Sequence, residues 1–233
     1  MFDLEAILRN PPKLHKHNGE LISTWLLHQD AVRAINSFVL PGMPTVETGA
    51  GLSTIVFAAN GCDHTCIVPD AGLADRIKTF CSTNSIDTDS VEFVIAKSCD
   101  VAFRLEPQSR QLALVDGNHG FPSALLDFFY LGKALKIGGI LVQDDMHIYT
   151  CQLLASFMQS DDGWSIEQKN SRIVIAKKLA DTIERDWTQQ TFVKARSYPI
   201  MKHPIFYADA TLRTLKDEGL AKTFEKIKSR LQA

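Results

Sequence analysis

The stretch PTVETGAGLSTIVFAANG, Pro44 to Gly61, contains the turn on which the fold depends. A short apolar run with Glu47 near its end leads into Gly49 and Gly51. Beyond them Leu52, Ile55, Val56 and Ala59 recur at helical spacing, and Gly61 supplies a stop. The pattern reads as strand, glycine turn, helix. The two glycines let the backbone turn sharply and approach a ligand, and the helix start beyond them offers unpaired amide donors. A G-x-G alone also fits a plain tight turn, so its surroundings decide. Glu47 is the informative neighbour: a carboxylate at a strand end costs solvation unless polar groups donate to it, and it repels phosphate.

The same alternation continues outward. HTCIVPD, His64 to Asp70, is a second strand halted by Pro69, followed by Leu73, Ile77, Phe80 and Cys81 on one helical face. VEFVIA from Val91 is a third. QLALVDG, Gln111 to Gly117, is apolar on consecutive positions, as a strand buried on both faces must be. After it Phe121, Leu125, Phe128, Phe129, Gly132 and Leu135 form a helical stripe directed at the sheet. GGILVQDD, Gly138 to Asp145, is the fifth strand, and IYTCQLLASFM a helix. WSIEQKN and SRIVIAKK lie too close together for a parallel crossover and form an antiparallel pair. The expected architecture is α/β: a Rossmann-like, seven-stranded, mostly parallel sheet ending in an antiparallel hairpin, with helices on both faces.

Flanking this core, the spacing of Leu21, Ile22, Trp25, Val32, Ile35 and Val39 predicts one amphipathic helix over Glu20 to Val39. After Ala180, helices are expected near Asp181 to Val193 and Ala208 to Leu231, joined by a Pro199 to Pro204 loop. The organisation is a helical cap over 1–43, a core over 44–178 and a helical extension over 179–233.

A chain of 233 residues suffices for one large core, and a net charge of −2 gives no bulk signature for nucleic acid or anionic membrane. No apolar run reaches the roughly 20 residues of a membrane span. Five scattered cysteines and the lack of a secretory leader point to a reducing cytoplasm. Cys62 and Cys66 lack a second ligand pair at structural-zinc spacing and read as small buried hydrophobes.

Ligands of parallel α/β sheets sit at the carboxyl ends of the strands. Those ends carry Glu47 with TGAG, then Asp70, KSCD with Asp100, DGNH with Asp116, and Asp144 and Asp145 followed by His147. At this point the sequence resembles the class I S-adenosylmethionine-dependent methyltransferases. VETGAGLST is similar to their first motif, acid-x-Gly-x-Gly, with Ser53 where a third glycine is often found. LVDGNHGFPSALLDFFYLGKALKIGGILVQDDM resembles the subgroup with Asp-Gly-x-His after the fourth strand and Asp-Asp after the fifth. This is the pattern of metal-dependent O-methyltransferases, of the catechol and caffeoyl-CoA type and of the macrocin type, and it spans about Thr45 to Met146.

The resemblance implies S-adenosylmethionine as cofactor. Gly49, Ala50 and Gly51 would lie against its methionyl part, organised by Glu47 with Ser53 and Thr54. The family's ribose acid falls at Val68, so Asp70 is the substitute. Asp100 would lie near the adenine, with Ser98 or Cys99 as alternatives. Asp116, Asp144 and Asp145 would share one rim, where three carboxylates need a cation such as Mg²⁺ or raised pKa values. The competing reading has Asp144 and Asp145 capping the next helix and Asp116 opening a turn. Asn118 stands where the macrocin type has a second acid, leaving His119 as candidate base and His147 second.

The implied activity is methyl transfer to a hydroxyl of a small molecule, with or without a divalent cation; self-association stays open. Val68 and Asn118 favour a rival, a non-catalytic domain of the same fold acting as a binding or regulatory subunit. A metal-independent enzyme using His119 is another. A nicotinamide-dependent oxidoreductase is disfavoured, because Thr54 occupies the last glycine position of G-x-G-x-x-G.

Overall fold

The computed structural model describes residues 2–23, 26–197 and 204–231. It divides into two compact units, one ending at Asp186 and one beginning at Trp187. The first opens with α1 (Leu4–Arg9), β1 (His15–His17), β2 (Glu20–Ile22) and α2 (Gln29–Phe38). The alternating core follows: β3 (Pro44–Thr48), α3 (Leu52–Ala59), β4 (Asp63–Val68), α4 (Ala71–Thr83), β5 (Val91–Ile95) and α5 (Ser98–Val101). It continues through β6 (Arg110–Val115), α6 (Ser123–Ala134), β7 (Leu135–Gln143), α7 (Tyr149–Ser160), β8 (Trp164–Lys169) and β9 (Val174–Lys178).

Seven strands form one sheet in the order β5-β4-β3-β6-β7-β9-β8, parallel except that β9 runs antiparallel to both β7 and β8. The strand order reverses between β3 and β6, which opens a crevice at their carboxyl ends. In register, Thr48 pairs with Val115 and Val115 with Gln143. The residues just beyond, Gly49, Asp116 and Asp144, therefore emerge along one rim.

The consecutive apolar residues of β6 serve two cores. Leu112 and Leu114 face Val32, Ile35, Ile55 and Ile77 from α2, α3 and α4. Ala113 and Val115 face Phe128, Leu131, Leu154 and Met158 from α6 and α7. Alternate side chains of a strand point to opposite faces, so an uninterrupted apolar run is what burial on both sides requires. At the far end of the sheet the Lys178 side chain is fully buried and donates to the carbonyls of Gly132 and Leu135, both at 2.8 Å, while pairing with Asp181. These acceptors at the α6–β7 junction make burial of an ammonium tolerable.

The structure departs from the sequence expectation at both ends. The helix predicted from Glu20 is confined to α2, and residues 15–22 form a hairpin whose two-residue turn is Asn18 (φ 49°) and Gly19 (φ 88°). Both turn residues sit in the left-handed region that a type I′ turn demands. Trp25 lies outside the described residues. Residues 181–190 form turns instead of helix, because Leu179 N–H donates to Gly163 O at 2.7 Å and the Thr182 hydroxyl bonds Asp161. Phe121 is exposed rather than part of the α6 stripe. In the second unit, α8 (Thr191–Arg196) and α9 (Pro204–Leu231) are helical, with α9 broken at Gly219; most of the expected Pro199 to Pro204 loop lies outside the described residues. No helix among the described residues is long and apolar enough to cross a membrane.

Candidate functional site

The glycine turn rests on a buried polar network. Glu47 is completely buried; the Ser53 hydroxyl donates to its Oε2 at 2.5 Å, the Thr54 hydroxyl donates to Oε1, and His64 Nε2 lies 3.2 Å from Oε1. Thr54 also accepts from Gly51 N–H at 3.0 Å, which ties the network to the loop above. His64 Nδ1 meets the Thr45 hydroxyl at 2.8 Å, and the Cys66 thiol donates to Gly49 O at 3.4 Å. Among the described residues, Glu47, His64 and Cys66 also form the one group whose ligand atoms lie close enough together for a metal, within 4.8 Å. Burial pushes the Cys66 thiol well above its ordinary pKa, with the Glu47 charge adding to the effect. With the thiol protonated and the acid and imidazole already bonded, the cluster serves as the floor of the glycine loop.

The two glycines are not equivalent. Gly49 has φ +89°, and a Cβ there would stand 2.2 Å from the carbonyl oxygen of Asp116. Only glycine fits that conformation and that approach. Gly51 has an extended backbone (φ 167°), and a Cβ there would come within 3.4 Å of His15 Nε2.

Beside the loop lies a cavity of about 570 Å³ at the ends of β3, β4, β5 and β6. Its walls include Gly49, Ala50, Val68, Asp70, Ser98, Cys99, Asp116 and Gly117, with His15 and Lys16 contributed by the β1–β2 hairpin. Several residues singled out in the sequence are thus brought together there. Glu47, Ser53 and Thr54 lie beneath the loop instead, and Asp100 is absent from the lining. Asp70, the stand-in for the ribose acid, is exposed and pairs with Arg76 Nη2 at 3.2 Å. Burial opposes its charge, but amide hydrogen bonds and Arg76 hold its pKa below the ordinary value.

A second cavity, about 490 Å³, holds the acid rim: Asp116, Asp144 and Asp145 with His119, His147 and Arg172. The carboxylates occupy unlike settings. Asp145, at φ 56°, bonds Arg172 Nη2 at 3.0 Å and His119 Nε2 at 3.2 Å, with His147 Nδ1 at 3.5 Å. The His119 hydrogen bond foremost lowers its pKa. It does not cap α7, which has no side-chain cap. Asp144 is 2% exposed and its Oδ1 has no partner. Burial raises its pKa, and burial likewise raises that of Asp116, to about 7. His119 stands between Asp145 and Asp116, 3.7 Å from the latter. Burial disfavours its charge, but hydrogen bonds to Asp116 and Asp145 prevail and raise its pKa well above the usual imidazole range.

Sequence reasoning missed both Arg172 and His15. Arg172 lies in the turn between β8 and β9, where its sequence context is only a hairpin. His15 precedes Asn-Gly, a strong hairpin signal that would have placed it on ordered structure.

The strand order, with the glycine turn between β3 and α3, is that of the class I methyltransferase fold. Residues 46–146 match a family model described as a methyltransferase domain, and no curated protein matches the chain. Solved structures of this fold are similar at low identity. One is the O-methyltransferase TomG of Streptomyces achromogenes, involved in tomaymycin synthesis and determined with S-adenosylmethionine: TM-score 0.57, 12% identity, 69% of this chain and 84% of that one. A Corynebacterium glutamicum protein aligns with TM-score 0.55 and 16% identity over 67% of this chain and 84% of that one. The Podospora anserina methyltransferase PaMTH1, determined with S-adenosylhomocysteine, gives TM-score 0.54 and 11% identity over 68% and 82%.

Proposed function

We propose that this chain transfers a methyl group from S-adenosylmethionine to a hydroxyl of a small polar molecule bound at the acid rim. The observation that carries the reading is the junction of two cavities. One lies against the glycine loop and the other holds the carboxylates, and His15, Ala50, Asp116 and Gly117 line both. A donor in the first and an acceptor in the second would meet over Asp116. Holding two reactants in line is a large part of the catalysis of such a displacement.

The rim also suits a divalent cation. The unpartnered Asp144 Oδ1 is a hard oxygen buried at a cost that a cation would relieve, and Asp116 faces the same cavity. Asp116 and Asp144 would hold the ion, because Asp145 is already committed to His119 and Arg172. When bound, a cation would acidify an acceptor hydroxyl.

Calorimetric titration with S-adenosylmethionine, followed by Mg²⁺ or Mn²⁺, tests both parts. Saturable cofactor binding is expected, and Asp144→Asn should weaken cation binding by about tenfold or more while leaving cofactor affinity within about threefold. Without cofactor binding the enzyme reading fails, and a non-catalytic scaffold, favoured by the buried Val68 at the ribose acid's place, would take its place.

A further inference from the structure

We infer that His15, carried by the β1–β2 hairpin, is the base that takes the acceptor's hydroxyl proton during methyl transfer. The inference rests on the methyltransferase reading above and adds to it a catalytic residue outside the segment that matches the family model. Four residues line both cavities, and of these Ala50 and Gly117 offer no side-chain acceptor while Asp116 faces His119. His15 is the imidazole at the junction. Its Nε2 sits 3.4 Å from the Cβ position of Gly51, on the loop that would carry the methionyl end of the donor.

The hairpin that presents it is anchored. Leu14 is buried in the core, and its carbonyl accepts from Arg76 Nε at 2.5 Å while Arg76 Nη2 holds Asp70. The ring is partly buried; burial first, and then Arg76 from α4, lower its pKa, against an opposing pull from Asp70. Lys16 of the hairpin itself, Lys97 after β5 and Asp116 on the β6 rim are the other charged groups on the wall of the first cavity, and His119, Asp144, Asp145, His147 and Arg172 those on the wall of the second. A neutral imidazole keeps the lone pair a base requires. His119 has both ring nitrogens engaged, Nε2 by Asp116 and Asp145 and Nδ1 by the Cys151 thiol at 3.4 Å.

The step balances. The acceptor oxygen bonds the methyl carbon as the carbon–sulfur bond breaks, and the electron pair stays on sulfur as a neutral thioether. The hydroxyl proton passes to His15 Nε2 and then to water.

A first test needs no acceptor. The pKa of His15, followed by NMR in imidazole-labelled protein and assigned with His15→Gln, is compared in complexes with S-adenosylmethionine and S-adenosylhomocysteine. The sulfonium charge should place it about one unit lower in the former. Equal values in the two complexes would overturn the inference while leaving cofactor binding intact; failure of both ligands to bind would instead sink the methyltransferase reading. A second test screens phenols, catechols and sugars for acceptor-dependent S-adenosylhomocysteine release. With any that turns over, His15→Gln should lower kcat about a hundredfold or more with cofactor affinity within about threefold, and abolish the acid limb of the pH profile. Free imidazole should partly restore His15→Ala. Wild-type kcat and pH profile in His15→Gln would refute the role.

Discussion

Asp127, on α6, is 1% exposed, and neither carboxylate oxygen has a well-formed hydrogen bond. Burial raises its pKa, only partly offset by the nearby Ser98 and Thr48 hydroxyls and by His119. The folded state therefore binds this proton more tightly than the unfolded chain does. The resulting stability is full below the ordinary Asp pKa and is lost as pH rises through the folded value. Asp127→Asn should remove that loss: thermal melts at pH 7 should show a variant more stable than wild type by on the order of 1 kcal/mol, with the gain vanishing toward pH 4. The rim acids were legible because carboxylates after buried strands are conspicuous. Their division of labour was not, since it depends on Arg172, a residue 27 positions from Asp145. That Glu47 must accept hydrogen bonds from polar neighbours was legible from its place at a strand end. The burial of its partners Ser53 and Thr54 was hidden, because a hydroxyl at a helix start can face either way.

At the scale of elements, two glycines with nearly equal φ should behave differently. Gly49→Ala meets both a left-handed φ and a carbonyl oxygen at 2.2 Å, so a loss of about 3 kcal/mol or more and failure to bind cofactor are expected. Gly138 has φ +86° but nothing within 4 Å of its Cβ position, so Gly138→Ala should cost only about 1 kcal/mol. Denaturant melts of the pair separate strain from clash; equal losses would show that the approach to Asp116 is unimportant. The same contrast explains what was readable in the sequence. Strands β6, β7 and β9 announced themselves through burial, as consecutive apolar residues with turn residues beyond them. Strand β2 was read as helix because Leu21 and Ile22 happen to extend the spacing of α2, and a turn decided by two torsions leaves no periodic trace. The expected helix after Ala180 lost to tertiary hydrogen bonds at Gly163 and Asp161, which pattern alone does not reveal.

For the whole molecule, ligand binding should appear as stability. S-adenosylmethionine at about 100 times its Kd should stabilise the folded state by about 2.7 kcal/mol. For a chain of this size that raises the midpoint of a thermal melt by about 5–10 °C, and an unchanged midpoint at saturating cofactor would count against the cofactor cavity. The segment matching the methyltransferase-domain model ends at Met146, whereas the sheet is completed only by β8 and β9, and Met146 N–H itself donates to Arg172 O at 2.9 Å. A ribosome that has released every motif residue has therefore not yet released the strand that covers one side of β7. During that interval an apolar strand lies open to pairing with another nascent chain, and the closing hairpin is what ends the exposure.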